Sequence, residues 1–192
     1  MAEIRIAPAS ADRFDDAEHA LTGGGEGASC WCQWWMLRNK DFHATTNAER
    51  REMLRSDLSA PVPSALIAYV DGTAAGWVKV SPRPDQPRLA ATRDFQQSPE
   101  PFDDPSVWAI TCFVVRREFR GEGIAGKLLD AAVAHAREHG ARVIEGYPVD
   151  TDTTKASSNE LYHGALSSFA AAGFTEVARP KPARPIVSLS LA

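Results

Sequence analysis

No stretch of the chain stays apolar for the ~20 residues that a membrane-crossing helix needs. The opening MAEIRIAPAS also lacks the layout of a secretion signal. A cytoplasmic location with no membrane partner is therefore expected. Cysteine is scarce: Cys30, Cys32 and Cys112 form an odd set with no second pair at metal-site spacing. That argues against a disulfide scaffold, and no metal centre is predicted. Charge of one sign is scarce too. A formal net charge of −4 leaves no footprint for nucleic acid, and the basic clusters at 116–120 and 179–184 read as solvated local faces. Internal repeats and low-complexity tails are absent. The 192 residues of the chain suit one well-buried core and would be cramped as two, so a single domain over 1–192 is expected.

Local patterns then place the elements. Glu3–Ala7 alternates like a strand, and Ser10 is placed to cap a helix through Leu21. Thr46 to Leu58 reads as a second helix. In "SALIAYVDGTAAGWVKVSP", Asp71-Gly72 between two apolar runs marks a hairpin. Residues 83–105 carry several prolines and no period, which predicts a long surface loop. "SVWAITCFVV" reads as a buried strand. The helix that follows sets Ile124, Leu128, Ala132 and Ala136 on one stripe and ends at Gly140. "ARVIEGYPV" is the next strand. Ser157 and Glu160 form a capping box for a helix to about Ala172, and two strands, 174–177 and 186–191, finish the chain.

Gly121, Gly123 and Gly126 spell G-x-G-x-x-G at a helix entrance, with Glu145 about twenty residues on, as in a dinucleotide-binding unit. Three features count against that reading. Residues 116–120 intervene between the strand and the first glycine. The motif sits late, after an antiparallel hairpin. Too little chain follows for a second mononucleotide half. A glycine-rich helix entrance still suits a pyrophosphate, because its N–H groups are unpaired and partly positive.

Arg120-Gly121-Glu122-Gly123-Ile124-Ala125 resembles R/Q-x-x-G-x-G/A, the pyrophosphate loop of the GNAT acyl-CoA-dependent N-acyltransferases. "FAAAGFTEV" near the end resembles that superfamily's last helix and G-F turn. The resemblance is close over 107–178 and holds only in element order before that. It implies a mixed α/β fold around a mostly antiparallel central sheet flanked by helices, with one parallel strand pair splayed at the acyl-CoA cleft. It implies acetyl-CoA, or another acyl-CoA, as co-substrate and a small-molecule primary amine as acceptor, joined by direct attack. The cofactor would lie on the main chain at Phe113 and Val115 and on the loop from Arg120 through Gly126, with Lys127 adding charge. Dimers are frequent among such proteins, and the final strands can pair between chains, so a homodimer stays open.

The chain departs from the family where the usual proton donor, a tyrosine four residues before the glycine of G-F, stands: that position is Phe169. The frequent asparagine seven residues earlier is Tyr162. Three readings follow: water or Ser168 serves the leaving thiolate, Tyr162 does, or the protein is an acyl-CoA-binding or sensing domain without transfer. Ala109 occupies the position of the strand glutamate that some relatives use as base. Glu145 is a candidate to take the amine proton through water, with an exposed strand-end carboxylate as the plainer alternative; His43, His163 and Asp150 rank below it. Finally, "CWCQWW" holds three of the five tryptophans. Trp31, Trp34 and Trp35 are either core packing or an aromatic wall, even a cage for a cationic amine, beside the acceptor.

Overall fold

A computed structural model describes residues 2–157 and 160–191. Strand β1 (Ile4–Pro8) leads into a helical segment that opens as a 3-10 turn, Ala11–Arg13, before α1 (Phe14–Thr22). Ser10 therefore does not cap the helix through its side chain; its hydroxyl donates to Asp12 instead, at 2.5 Å. Three helices follow: α2 (Gly27–Cys30), α3 (Asn39–Ala44) and α4 (Asn47–Asp57). Thr46 and Glu49 close a reciprocal capping box on α4.

The hairpin is β2 (Ala65–Val70) and β3 (Thr73–Pro82). Asp71 and Gly72 both take positive φ, 47° and 81°, which matches the twist of the two strands. After β3 the chain forms α5 (Pro87–Ala91), then β4 (Val107–Val115), α6 (Ile124–Glu138), β5 (Val143–Gly146), α7 (Leu166–Ala171), β6 (Thr175–Lys181) and β7 (Arg184–Ser190).

The expected loop at 83–105 is not a bare surface loop. It holds α5 between two 3-10 turns and buries Arg83, Gln86, Arg88 and Leu89. Its polar side chains replace a periodic apolar pattern as anchors: Gln86 donates to the Ala109 carbonyl and accepts from Thr111, and Arg88 donates to the Leu37 carbonyl. The expected helix from 157 to 172 is broken as well. A 3-10 turn, Glu160–His163, gives way at Gly164 (φ 82°), and α7 starts two residues later. The Ser157–Glu160 hydrogen bonds are present at its start; residues 158–159 lie outside the described part.

The seven strands form one sheet in the order β1-β2-β3-β4-β5-β7-β6, antiparallel throughout except for the parallel pair β4–β5. That pair runs in register only from Val107↔Val143 to Ile110↔Gly146. Beyond it β4 stays paired to β3 as far as Val115, so the side of residues 111–115 that faces β5 is left open. Past Gly146, the chain following β5 turns to meet the segment before α7 at Val149↔Ala165.

At this fork β4 carries a bulge: Lys79 pairs with Cys112 and Val80 with Ile110, leaving Thr111 as the extra residue. A single added residue reverses the side on which every later side chain emerges. Trp108 and Ile110 face the α6 side of the sheet, and so does Phe113. Cys112 is thereby moved to the opposite layer, among Trp77, Cys32, Trp31 and α1.

Candidate functional site

The fork between β4 and β5 opens into one cleft of about 580 Å³. At one end its wall is Arg120, Gly121, Gly123, Ile124 and Ala125. Gly121 and Gly123 have φ of 86° and 75°, a region costly for residues with a Cβ, and no described residue lies within 4 Å of where a Cβ would stand. Gly123 also takes the N-cap position of α6 without any side-chain cap, so the first N–H groups of that helix are free for an anion. The loop that follows Gly23 lines the cleft too, through Gly24, Gly25, Glu26 and Gly27. It is tied down by Arg117 N–H to the Gly23 carbonyl, while Arg120 Nε–H donates to the Val115 carbonyl at 3.2 Å. Glu122, Gly126 and Lys127 belong to the same loop and first helical turn but do not line the cleft.

The middle of the cleft is the open edge of β4, with Phe113, Val114 and Val115 on its wall. The far end is built of side chains: Cys30, Cys32, Trp34, Trp35, Phe42, Cys112, Tyr162 and Ser168. Tyr162 and Ser168 therefore meet in one space although Gly164 puts them on different helices. Burial pushes the Tyr162 phenol up to about 12, with the neighbouring Cys112 thiol adding to it, so the hydroxyl stays protonated and able to donate.

Phe169 is fully buried, outside this space. Its ring lies against Gly146 and Gly164, where any Cβ would collide with it, and packs edge-on to Phe113 and Phe174. It wedges the fork from the core side.

Glu145 is neither an exposed strand-end carboxylate nor a wall of the cleft. It is fully buried and accepts from Arg83 Nη1 at 2.8 Å, from Tyr147 Oη at 3.0 Å and from the Ser98 hydroxyl. Arg83 is 2% exposed and also donates to the Glu100 and Pro101 carbonyls. With its lone pairs committed to Arg83, Ser98 and Tyr147, Glu145 is placed to pin the 83–101 segment to β5, not to exchange protons with a ligand. Asp150 is held by Arg179 at 2.7 Å, which keeps its carboxyl below the usual range. His163 is buried behind Trp35, and burial drops it to about 3, so it is neutral at physiological pH.

Of the three tryptophans, Trp34 and Trp35 line the cleft and Trp31 does not. Trp31 is core, its indole N–H donating to Asn47 at 2.8 Å. Trp34 does hold a cation, but the cation is the protein's own: the Arg88 guanidinium lies 3.7 Å from the ring centroid. Phe42 packs edge-on to Trp34 and lines the cleft beside it. Phe42, Cys30, Cys32 and Cys112, with the Gly24–Gly27 segment, are among the wall residues that sequence reasoning missed. The bulge at Thr111, which turns Cys112 into the layer that holds Cys32, arises from strand register, which no local pattern announces.

The "Acetyltransferase (GNAT) family" model matches residues 31–164. Among curated protein sequences none matches the chain significantly. Solved structures share its fold at low identity. An N-acetyltransferase from Staphylococcus aureus Mu50 aligns with a TM-score of 0.58 at 14% identity over 99% of both chains. The yncA protein of Salmonella typhimurium, solved with its cofactor acetyl-CoA, aligns at 0.55 and 15% over 98% of this chain and 94% of its own. The paiA N-acetyltransferase of Thermoplasma acidophilum, in complex with coenzyme A, aligns at 0.53 and 14% over 98% and 99%. The mostly antiparallel sheet forked at its one parallel pair is the fold these proteins share, and the family match covers well over half of the chain: it belongs to the GNAT acetyltransferase family.

Proposed function

We propose that the chain acts as a single-domain N-acyltransferase, moving an acetyl or other short acyl group from acyl-CoA to the primary amine of a small molecule. One observation carries this reading: a single cleft runs from an uncapped glycine helix entrance, along an open strand edge, to an aromatic end with protonatable groups. In this reading the pyrophosphate rests on the N–H groups around Gly121–Ala125, and Arg120 adds charge. Glu122, Gly126 and Lys127 support that loop from outside the wall. The pantetheine arm lies against the open edge at Phe113 and Val115, completing their main-chain hydrogen bonds as a short strand would. The thioester then reaches the far end of the cleft.

Tyr162 is the hydroxyl donor at that end, toward the leaving sulfur or the developing oxyanion, and Ser168 is the second hydroxyl. Trp34, Trp35 and Phe42 form the acceptor wall. Because Arg88 already covers a face of Trp34, the wall suits the apolar body of an amine more than a second cation.

The test is CoA-thiol release from acetyl-CoA against a panel of amines: amino acids, polyamines, aminoglycosides, aryl-alkyl amines and peptide N-termini. Release that depends on one class supports the proposal. Saturable binding of acetyl-CoA without amine-dependent release would favour a binding or sensing domain, the reading for which Phe169 at the usual tyrosine position speaks.

A further inference from the structure

Arg88 is a buried charge without a counter-ion. It is 6% exposed, and among the described residues no carboxylate lies at ion-pair distance from it. Arg83, on the same 83–101 segment and as deeply buried, has Glu145 at 2.8 Å. Leaving water unpaired is costly for a charge, so the contrast calls for a partner. Nε of Arg88 donates to the Leu37 carbonyl at 2.9 Å, and Nη1 to Asn39 Oδ1 at 3.3 Å. Nη2 is buried and has no partner among the described residues. Two further contacts tie this group to the acceptor wall. The Arg88 backbone N–H donates to the Trp35 carbonyl at 3.3 Å, and the guanidinium carbon stands 3.7 Å from the Trp34 ring centroid.

The wall itself repeats the shortage. Trp35 lines the cleft and is 5% exposed. Its indole N–H, which can only donate, is buried without a partner among the described residues. Tyr162 brings a protonated phenol to the same end: burial and Cys112 raise it, against the charges of Arg184 and Arg88. Phe42 is backed by a second guanidinium, that of Arg50, 4.6 Å from its ring centroid. Among the described residues Arg50 likewise has no carboxylate at ion-pair distance. Opposite charge is scarce. Of the described residues that line the cleft, Glu26 is the one carboxylate; it is exposed on the segment after Gly23 and accepts from the Ser29 hydroxyl at 3.1 Å. The far end thus gathers donors and positive charge, and lacks the anion that would meet them.

We propose that the acceptor is an amino-carboxylate, a primary amine that also carries a carboxylate, and that Arg88 is the residue that selects it. This rests on the acyl-CoA reading of the cleft. The carboxylate is the counter-ion that Arg88 lacks and the hydrogen-bond acceptor that the Trp35 N–H lacks. The transfer itself is unchanged by the choice of acceptor. The amine nitrogen bonds the acyl carbon, the carbon–sulfur bond breaks, and the proton that the amine loses is matched by one gained at the CoA sulfur, through Tyr162 or water. A polyamine or an aminoglycoside would instead bring further ammonium groups to a wall already backed by Arg88 and Arg50. Such like charges are rejected, not merely left unrecognised.

The experiment measures kcat and KM for CoA-thiol release by the full chain at saturating acetyl-CoA. The acceptors are α-, β- and γ-amino acids, each beside its carboxamide and the matching amine without the carboxylate, together with polyamines and aminoglycosides. The best amino acid is expected to exceed its own amide in kcat/KM by at least about tenfold, mainly through KM. Arg88→Gln keeps an amide donor for the Leu37 carbonyl and removes the charge; the acid-to-amide ratio should then fall toward one. A merely structural strap would lower acid and amide alike and leave the ratio in place, which overturns the role of Arg88. An amide, a carboxylate-free amine or a polyamine that serves as well as every amino acid overturns the proposal and leaves the proposed function standing. No release with any amine, while calorimetry shows acetyl-CoA saturating the chain, overturns both. The acid-to-amide comparison is made on the wild-type chain, so a misfolded Arg88→Gln does not blur it.

Discussion

The two ends of the cleft are built by opposite means. At the glycine end the wall offers main-chain N–H donors, set by Gly121, Gly123 and the start of α6, all neighbours in sequence. At the other end it offers side chains from α2, the turn after it, α3, β4, the 3-10 turn before α7 and α7 itself. A backbone site needs a short motif and little support. A side-chain site needs distant segments held in place, and here that support is costly: a buried Arg83–Glu145 pair, a strained Trp31–Cys32 turn and an aromatic wedge at Phe169.

That contrast is open to attack at several points. The greatest loss should come from the support of the side-chain end. Glu145→Ala leaves Arg83 charged and buried, and should cost about 3–5 kcal/mol of unfolding free energy in urea titration. A change under 1 kcal/mol would mean that water reaches the pair and the 83–101 segment is not pinned through it. At the backbone end, Gly123→Val forces a β-branched residue into the left-handed region and should cost about 1–2 kcal/mol. It should also raise the acetyl-CoA dissociation constant by calorimetry while the acceptor wall stays intact. Tyr162→Phe should lower kcat by about tenfold, roughly 1.4 kcal/mol, with acetyl-CoA affinity unchanged. An unchanged kcat would remove Tyr162 from the chemistry.

The smallest effect at neutral pH belongs to His163. Its folded-state value lies near 3, against 6.5 for the free side chain. The unfolded chain therefore binds the extra proton first, and stability falls as pH drops from 6.5 toward 3. Among the described residues His163 Nδ1 is buried without a partner, so His163→Phe should be near neutral at pH 7 and should flatten that acid slope in denaturation measured across pH. An identical slope in the variant would locate the proton uptake elsewhere.

The same division governs how much could be read from sequence. The Asp71-Gly72 hairpin, the Ile124–Ala136 stripe and the glycine loop are local, and all three stand where the pattern puts them. The mostly antiparallel sheet with one parallel pair also stands as the resemblance implies. Glu145 misled because a carboxylate on a short strand looks solvent-facing until Arg83, far back in the chain, is folded over it. The 157–172 helix misled because a capping box announces a start and says nothing of a left-handed residue seven positions on, at Gly164. Trp31 and Trp34 look alike in "CWCQWW", yet a single bond to Asn47 turns one into core and leaves the other on the wall.

Thr111 is the cheapest device in the molecule. Its presence acts as a reading-frame shift written in space rather than in codons: everything downstream on β4 is presented to the other layer. A strand that kept Thr111 but paired in unbroken alternation, with no bulge, would keep the same hairpin, glycine loop and family signature, yet Cys112 would face α6 and Phe113 would enter the layer of Cys32 and Trp77. Two members of this fold that differ by one gap at that position present matching faces beside the glycine loop only while the gap is kept open, and a comparison that closes it silently pairs the wrong faces.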